Sequence, residues 1–239
     1  MEQALLYKGN TTFEPNTSGF EHLHLLKGWM HEKRYAKKSA IYCEGDVCEY
    51  LYYVIEGTVK LSKVTDDGKE FILQYFYPGD LFGEFNNDQE TLTAFSAETL
   101  ATCRIGRIKQ SDILEHLPLD GVFAMDFSQW LSQSQRFIQL KLRDILFHGK
   151  NGALASTIIR AAHTYGIRSG NTIVISKKFT NYELANMIGA TRETVNRMLV
   201  QLDKEGILHY ANGRMTILNL EALKKICHCE GCPLSICRL

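Results

Sequence analysis

Four cysteines crowd one short stretch of this chain. Cys227, Cys229, Cys232 and Cys237 fall within eleven residues in the pattern C-x-C-x2-C-x4-C, with Pro233 directly after one of them. Thiolates this close in sequence can converge on one ion or cluster once the segment curls around it. Zinc accepts four sulfurs, as an iron–sulfur cluster does, so the spacing leaves both open. The other three of the seven cysteines, Cys43, Cys48 and Cys103, stand alone and read as ordinary core or surface residues.

A second set of chemically pointed residues lies upstream. Thr180-Asn181-Tyr182-Glu183 has the form of a capping box at a helix start, and Leu184, Ala185 and Ile188 continue it as an apolar stripe. Gly189 permits a sharp turn, and Thr191 can cap a following helix. In that helix Val195, Met198, Leu199 and Leu202 recur at i, i+3, i+4 and i+7 and face inward. Arg192, Glu193, Asn196 and Arg197 are then left on the outer face near its start. Arginine matches guanine O6 and N7 with a two-pronged fork, and glutamate accepts from the cytosine amine. The first turns of a recognition helix are what reach base edges in a helix-turn-helix. Lys177, Lys178 and Arg214 flank the segment and can reach phosphates, which position the protein without reading sequence.

The rest of the chain must position these groups. Its 239 residues suffice for two modest domains, and 45% hydrophobic with 23% charged side chains is ordinary for a globular protein. No run of eighteen apolar residues is present, so no membrane span is expected. The first residues lack the basic start, apolar core and small-residue cleavage site of a secretory signal, which predicts a cytoplasmic protein. There, grouped cysteines bind metal more often than they form disulfides. Net charge is zero but drifts along the chain, from −4 over residues 1–109 to +1 over 110–175 and +3 over 176–239. That drift suits a C-terminal module meeting an anionic partner. Catalysis is not expected, since there is no phosphate-cradling glycine loop, no nucleophile elbow and no H-E-x-x-H.

The spacing predicts a short helix and strand over 20–36, then short strands from Lys37 to about Arg107. These are broken at Glu44-Gly45-Asp46, Glu56-Gly57, Asp66-Asp67-Gly68 and Pro78-Gly79-Asp80. After a short helix from Ser111 to Leu117, residues from Gly121 to about Phe147 read as one long helix. Phe127, Trp130, Phe137 and Ile138 are its candidate dimerisation residues. A helix over Ala153–Tyr165, a strand over Thr172–Ser176, the two helices above and a hairpin around Asn212-Gly213 complete the second half.

This order of β-roll, long helix and winged helix-turn-helix resembles the CRP/FNR superfamily of bacterial transcription regulators over nearly the whole chain. The fold class expected is α+β. A β-roll sensor-like domain of the cyclic-nucleotide-binding jelly-roll type covers 1–120 and a dimerisation helix 121–148. A winged helix-turn-helix DNA-binding domain covers 149–226, and a cysteine-rich cluster-binding tail 227–239. Gly189-Ala190-Thr191-Arg192-Glu193-Thr194-Val195-Asn196-Arg197 is similar to the family's recognition segment. Members with this Arg-Glu-x-x-x-Arg prefer TGTGA-like half-sites. The resemblance therefore implies a palindromic double-stranded DNA target, a homodimer and RNA polymerase as partner.

Gly83-Glu84 matches the cyclic-nucleotide branch, but Thr91-Leu92-Thr93-Ala94 stands where that branch has its phosphate-binding arginine. With no cation for the phosphodiester, no cyclic nucleotide is expected. Enteric Fnr carries its cluster cysteines near the N-terminus, and here none precedes Cys43. The tail instead resembles the Gram-positive (Bacillus-type) Fnr subgroup. That resemblance implies a [4Fe-4S] cluster on Cys229, Cys232, Cys237 and Asp144, the last within Arg143-Asp144-Ile145-Leu146-Phe147-His148-Gly149-Lys150. By spacing alone Cys227 serves equally well as fourth ligand; only the resemblance favours the carboxylate. The implied function is an oxygen-responsive, anaerobic activator whose cluster bridges the tail to the long helix. The alternative is a CRP-like factor with a zinc tail or no cluster, answering another signal.

Overall fold

The computed structural model describes residues 23–86 and 90–239. Residues 20–22 of the expected first helix lie outside the described residues. The chain divides into two compact units, one ending at Arg136 and one running from Phe137 to Leu239.

The first unit opens with α1 (Leu23–Gly28) and continues through eight strands: β1 (His31–Tyr35), β2 (Ala40–Tyr42), β3 (Tyr50–Glu56), β4 (Val59–Val64), β5 (Glu70–Phe76), β6 (Leu81–Phe82), β7 (Ser96–Thr99) and β8 (Cys103–Lys109). Helix α2 (Gln110–His116) and the start of α3 (Gly121–Phe147) close it. Two four-stranded sheets form, in the orders β1-β8-β3-β6 and β2-β7-β4-β5, with every pairing antiparallel. The mixture of these sheets with long helices is the α+β class the sequence predicts.

Alternation along β3 and β8 explains how one sheet serves two cores. Tyr52 and Val54 on β3, with Cys103 and Ile105 on β8, enter an aromatic-rich cluster with Tyr42, Phe76 and Phe82. Rings of Tyr42, Tyr52, Phe82 and Phe76 stack in sequence at centroid distances of 5.2, 5.3 and 4.8 Å. Leu51 and Ile108 point the other way and join Leu26, Leu81 and Ile113 with Phe123, Phe127 and Trp130 of α3. Gly57 joins β3 to β4 at φ +94°, and a Cβ there would lie 2.4 Å from the Cys103 sulfur. Only glycine fits that turn.

The second unit carries the end of α3, then α4 (Gly149–Tyr165), β9 (Gly166–Ser169), β10 (Thr172–Ile175), α5 (Asn181–Ile188), α6 (Arg192–Lys204), β11 (Leu208–Ala211), β12 (Arg214–Ile217) and α7 (Leu220–Ile226). Its strands form one sheet in the order β11-β12-β10-β9, which makes the wing. Strand β9 and helix α7 add to the elements expected from sequence, and α4 begins four residues earlier than expected.

The dimerisation candidates are placed unevenly. Phe127 and Trp130 are buried in the first unit's core, and the Trp130 indole donates to the Leu81 carbonyl at 3.3 Å. Phe137 is buried in the second unit against Leu140 and Ile236. Three of the four are thus covered by their own chain, while Ile138 is 39% exposed. Leu131, Leu142, Leu146 and Phe147 are exposed as well.

Candidate DNA interface and cysteine centre

The helix-turn-helix forms for local reasons. The Thr180 hydroxyl accepts from the Glu183 N–H at 3.0 Å and starts α5. Gly189, in the left-handed conformation at φ +62°, ends it, and the Ala190 N–H bonds back to the Ala185 carbonyl at 3.0 Å. The Thr191 hydroxyl accepts from the Thr194 N–H at 3.2 Å and starts α6. Val195, Leu199 and Leu202 are buried beneath α6.

Arg192, Glu193, Asn196 and Arg197 are all exposed on the opposite face. Asn196 is not wholly free, since its Oδ1 accepts from Asn181 Nδ2 at 3.0 Å across the motif. Lys178 and Arg214 are exposed beside the helix. Lys177 is not. Its ammonium lies 4.8 Å from the Phe179 ring centroid, 5.2 Å from that of Tyr165 and 3.4 Å from Glu183 Oε1, and burial lowers its pKa. Lys177 therefore braces the motif, and Lys178 and Arg214 are the cations presented outward.

In the β-roll, Gly83 sits at φ +123° and Glu84 Oε1 accepts from the Ala94 N–H at 2.8 Å. The Glu84 carboxylate is thus tied to the segment Thr91–Ala94 by a backbone amide.

The cysteine centre lies wholly in the second unit. Asp144 is only 2% exposed. Its Oδ1 accepts from Arg143 Nη2 at 2.8 Å and Nε at 3.2 Å. Its Oδ2 accepts from the Ser156 hydroxyl at 2.5 Å and Arg160 Nη2 at 3.0 Å. Arg143 also reaches Glu230 of the tail, Nη1 to Oε1 at 2.8 Å. One guanidinium thus grips the end of α3 and the segment between Cys229 and Cys232.

The far end of the tail is docked by the chain's own groups. Ile236 is buried against Phe137 and Leu140. His163 Nδ1 donates to the Cys237 carbonyl at 2.8 Å, and the Leu239 N–H donates to Thr164 Oγ1 at 3.1 Å. Side chains and backbone of the chain itself thus join the tail to α3 and α4.

The four thiols differ. Cys227 is 3% exposed, and its sulfur lies 3.6 Å from the Lys224 carbonyl oxygen. It shares a hydrogen bond with Cys229, so Cys227 is the partner that keeps its proton and Cys229 the one favoured to ionise. Burial pushes the Cys237 thiol up to about 11 against the pull of Arg160, with Cys229, Cys232 and Asp144 all contributing to its field. Among the described residues, no three His, Cys, Asp or Glu side chains are grouped so as to hold a metal ion. Cys229, Cys232 and Asp144 do act on the Cys237 thiol through their charge, and two observations are compatible with a sulfur-rich group there. The donor set pairs soft sulfurs with one hard carboxylate, whose charge reaches the Cys237 thiol. Arg160 Nη1 is buried with no hydrogen-bond partner among the described residues.

An exposed recognition helix with outward arginines, a β-wing and an antiparallel β-roll define a DNA-binding transcription regulator. Residues 32–117 match the family described as Cyclic nucleotide-binding domain, and residues 152–226 the one described as Crp-like helix-turn-helix domain. The chain is 34% identical over 217 residues to the Anaerobic regulatory protein of Bacillus subtilis (strain 168), covering 90% of this chain and 91% of that one. It is 27% identical to the cAMP-activated global transcriptional regulator Vfr of Pseudomonas aeruginosa, over 84% and 96% of the two chains. Among solved structures, a CooA mutant from Carboxydothermus hydrogenoformans matches with a TM-score of 0.71 at 23% identity, over 85% and 90% of the chains. FixK2 from Bradyrhizobium japonicum matches at 0.69 and 22%, over 82% and 96%; at these identities the two structures speak for the fold alone. The chain belongs to the CRP/FNR family of transcription regulators.

Proposed function

We propose that this regulator is an oxygen-responsive activator that works in the cytoplasm without air. It binds palindromic TGTGA-like DNA as a homodimer while Cys229, Cys232, Cys237 and Asp144 hold a [4Fe-4S] cluster. The observation that carries the reading is the burial of Asp144 in the neighbourhood of the tail thiols. The 34% identity to a protein named for anaerobic regulation supports it. When bound, the cluster supplies a centre that oxidants dismantle, the carboxylate being its harder and more labile attachment.

The chain's own residues do the rest. Cys229, the thiol favoured to ionise, enters as a thiolate, and the resemblance to the Bacillus-type subgroup leaves Cys227 out of the ligand set. Arg143 keeps Asp144 and the tail in register through Glu230. Ile138 and Leu142, four residues apart and exposed on α3, supply apolar surface for a second copy. Pairing through α3 sets two α6 helices to meet half-sites about one DNA turn apart. RNA polymerase meets another surface, for which the exposed turn Asp66–Lys69 is the candidate.

Protein purified under nitrogen should be brown, contain iron and acid-labile sulfide, and bind a TGTGA palindrome. Air should bleach it and weaken binding. Cys227→Ser should retain its iron. Zinc in place of iron, or equal binding by the bleached form, would overturn the sensing role. Arg197→Ala should weaken binding by about 1–3 kcal/mol and relax discrimination at the guanine it contacts. An equal loss on every sequence in a competition assay would move Arg197 to the phosphate backbone.

A further inference from the structure

Arg160 lies within α4, with 6% of its surface exposed. Two of its three side-chain nitrogens are accounted for. Nε donates to Ser156 Oγ at 3.4 Å, and Nη2 to Asp144 Oδ2 at 3.0 Å. The guanidinium carbon lies 5.2 Å from the centroid of the Phe137 ring. Hydroxyl, carboxylate and ring thus fix the plane of the fork. Nη1 is buried with no hydrogen-bond partner among the described residues. A buried charged donor without an acceptor is costly, and native interiors rarely tolerate one. Its neighbourhood is that of the cysteine centre, where Asp144 is in direct contact and the Cys237 thiol feels the guanidinium's charge.

We propose that Arg160 is a hydrogen-bond donor to the sulfur-rich group held at this site, with Nη1 serving a coordinating thiolate or an inorganic sulfide. The inference rests on the cluster reading above and adds a residue that is not a ligand. Hydrogen bonds to cluster sulfurs withdraw electron density and raise the reduction potential. Arg160 therefore sets how readily oxidants attack, while Asp144 and the cysteines set what is bound. Arginine suits the role because its planar fork can hold Asp144 with one nitrogen and serve a second acceptor with another. Lysine, a single point donor, cannot divide itself so.

The test compares wild type, Arg160→Lys and Arg160→Gln, each reconstituted anaerobically with ferrous iron and sulfide. Iron and sulfide per chain, visible spectrum, midpoint potential and bleaching rate at fixed oxygen are measured. Both variants should load the cluster, show a lowered potential and bleach about tenfold faster, as loss of one hydrogen bond to a charged acceptor implies. A tenfold change corresponds to about 59 mV for one electron. Loaded variants with wild-type potential and bleaching rate would overturn the proposal and leave Arg160 as a brace for Asp144. If a variant takes up no iron, its iron-free thermal melt decides. A wild-type melt supports a direct contact, and a lowered melt assigns Arg160 to bracing and overturns it. A wild-type chain that loads neither iron nor sulfide removes the cluster reading itself, a separate outcome visible before any variant is made, and this proposal falls with it.

Discussion

Asp144→Ala should destabilise the metal-free second unit by about 3–5 kcal/mol, the usual cost of removing one partner from a buried ion pair. Asp144 and Arg160 are 2% and 6% exposed, and their contact is 3.0 Å. Removing the carboxylate leaves Arg160 charged and desolvated. It also strips the Ser156 hydroxyl and both Arg143 donors of their acceptor. Asp144→Asn keeps the shape and an acceptor oxygen, so its loss should be smaller. The check is chemical denaturation of chelator-treated protein, followed by circular dichroism. An Asp144→Ala midpoint equal to wild type would mean the arginines find water or other partners. The consequence for ligand assignment is direct: iron lost from Asp144→Ala reports misfolding and ligand loss together, whereas iron lost from a well-folded Asp144→Asn reports the ligand.

Phe123→Ala should cost about 3–5 kcal/mol in the first unit, as large-to-small changes of buried aromatics do. Phe123 is fully buried, meets Trp29 edge-on with centroids 5.7 Å apart, and lies 6.2 Å from Phe127 on the next turn of α3. Its ring anchors the start of α3 to the outer face of the first sheet. Both tryptophans of the chain, Trp29 and Trp130, pack in that same cluster. Tryptophan fluorescence during urea unfolding therefore reports this unit alone. The expected result is an early fluorescence transition with DNA binding retained at low urea. An unchanged midpoint would show that the cluster collapses to fill the cavity.

What could be read from the sequence was mostly local. The turn at Gly189 and the caps at Thr180 and Thr191 are set by neighbours a few residues away, and the structure has them where composition placed them. Helix α3 was legible for the same reason, since no glycine or proline interrupts residues 122–147. Strand β9 was missed because it follows α4 without a break, although Gly170-Asn171 marks the turn that folds it onto β10. Helix α7 was missed although Asn219 caps it, its Oδ1 accepting from the Ala222 N–H at 3.0 Å. The spacing of Leu220, Leu223 and Ile226 was the available signal.

Contacts between distant segments were not legible. Periodicity shows that a helix face is apolar but not what covers it. The spacing of Phe127, Trp130 and Phe137 suits a partner subunit, but the chain's own core covers them. Arg160 and Ser156 also escaped notice. An arginine inside an otherwise small and apolar helix was the clue, and its meaning needs Asp144, sixteen residues earlier, to be in view.

The tail is docked through Ile236, His163 and Thr164, and the proposed oxygen response would draw its durability from that docking. A segment seated by its own residues keeps its place after damage to an inorganic centre. On the cluster reading proposed above, refilling would need iron and sulfide to return to a tail already seated, without a search by a loose peptide. The device should be rechargeable: one molecule could pass through many cycles of air and anoxia, and resynthesis would not limit recovery.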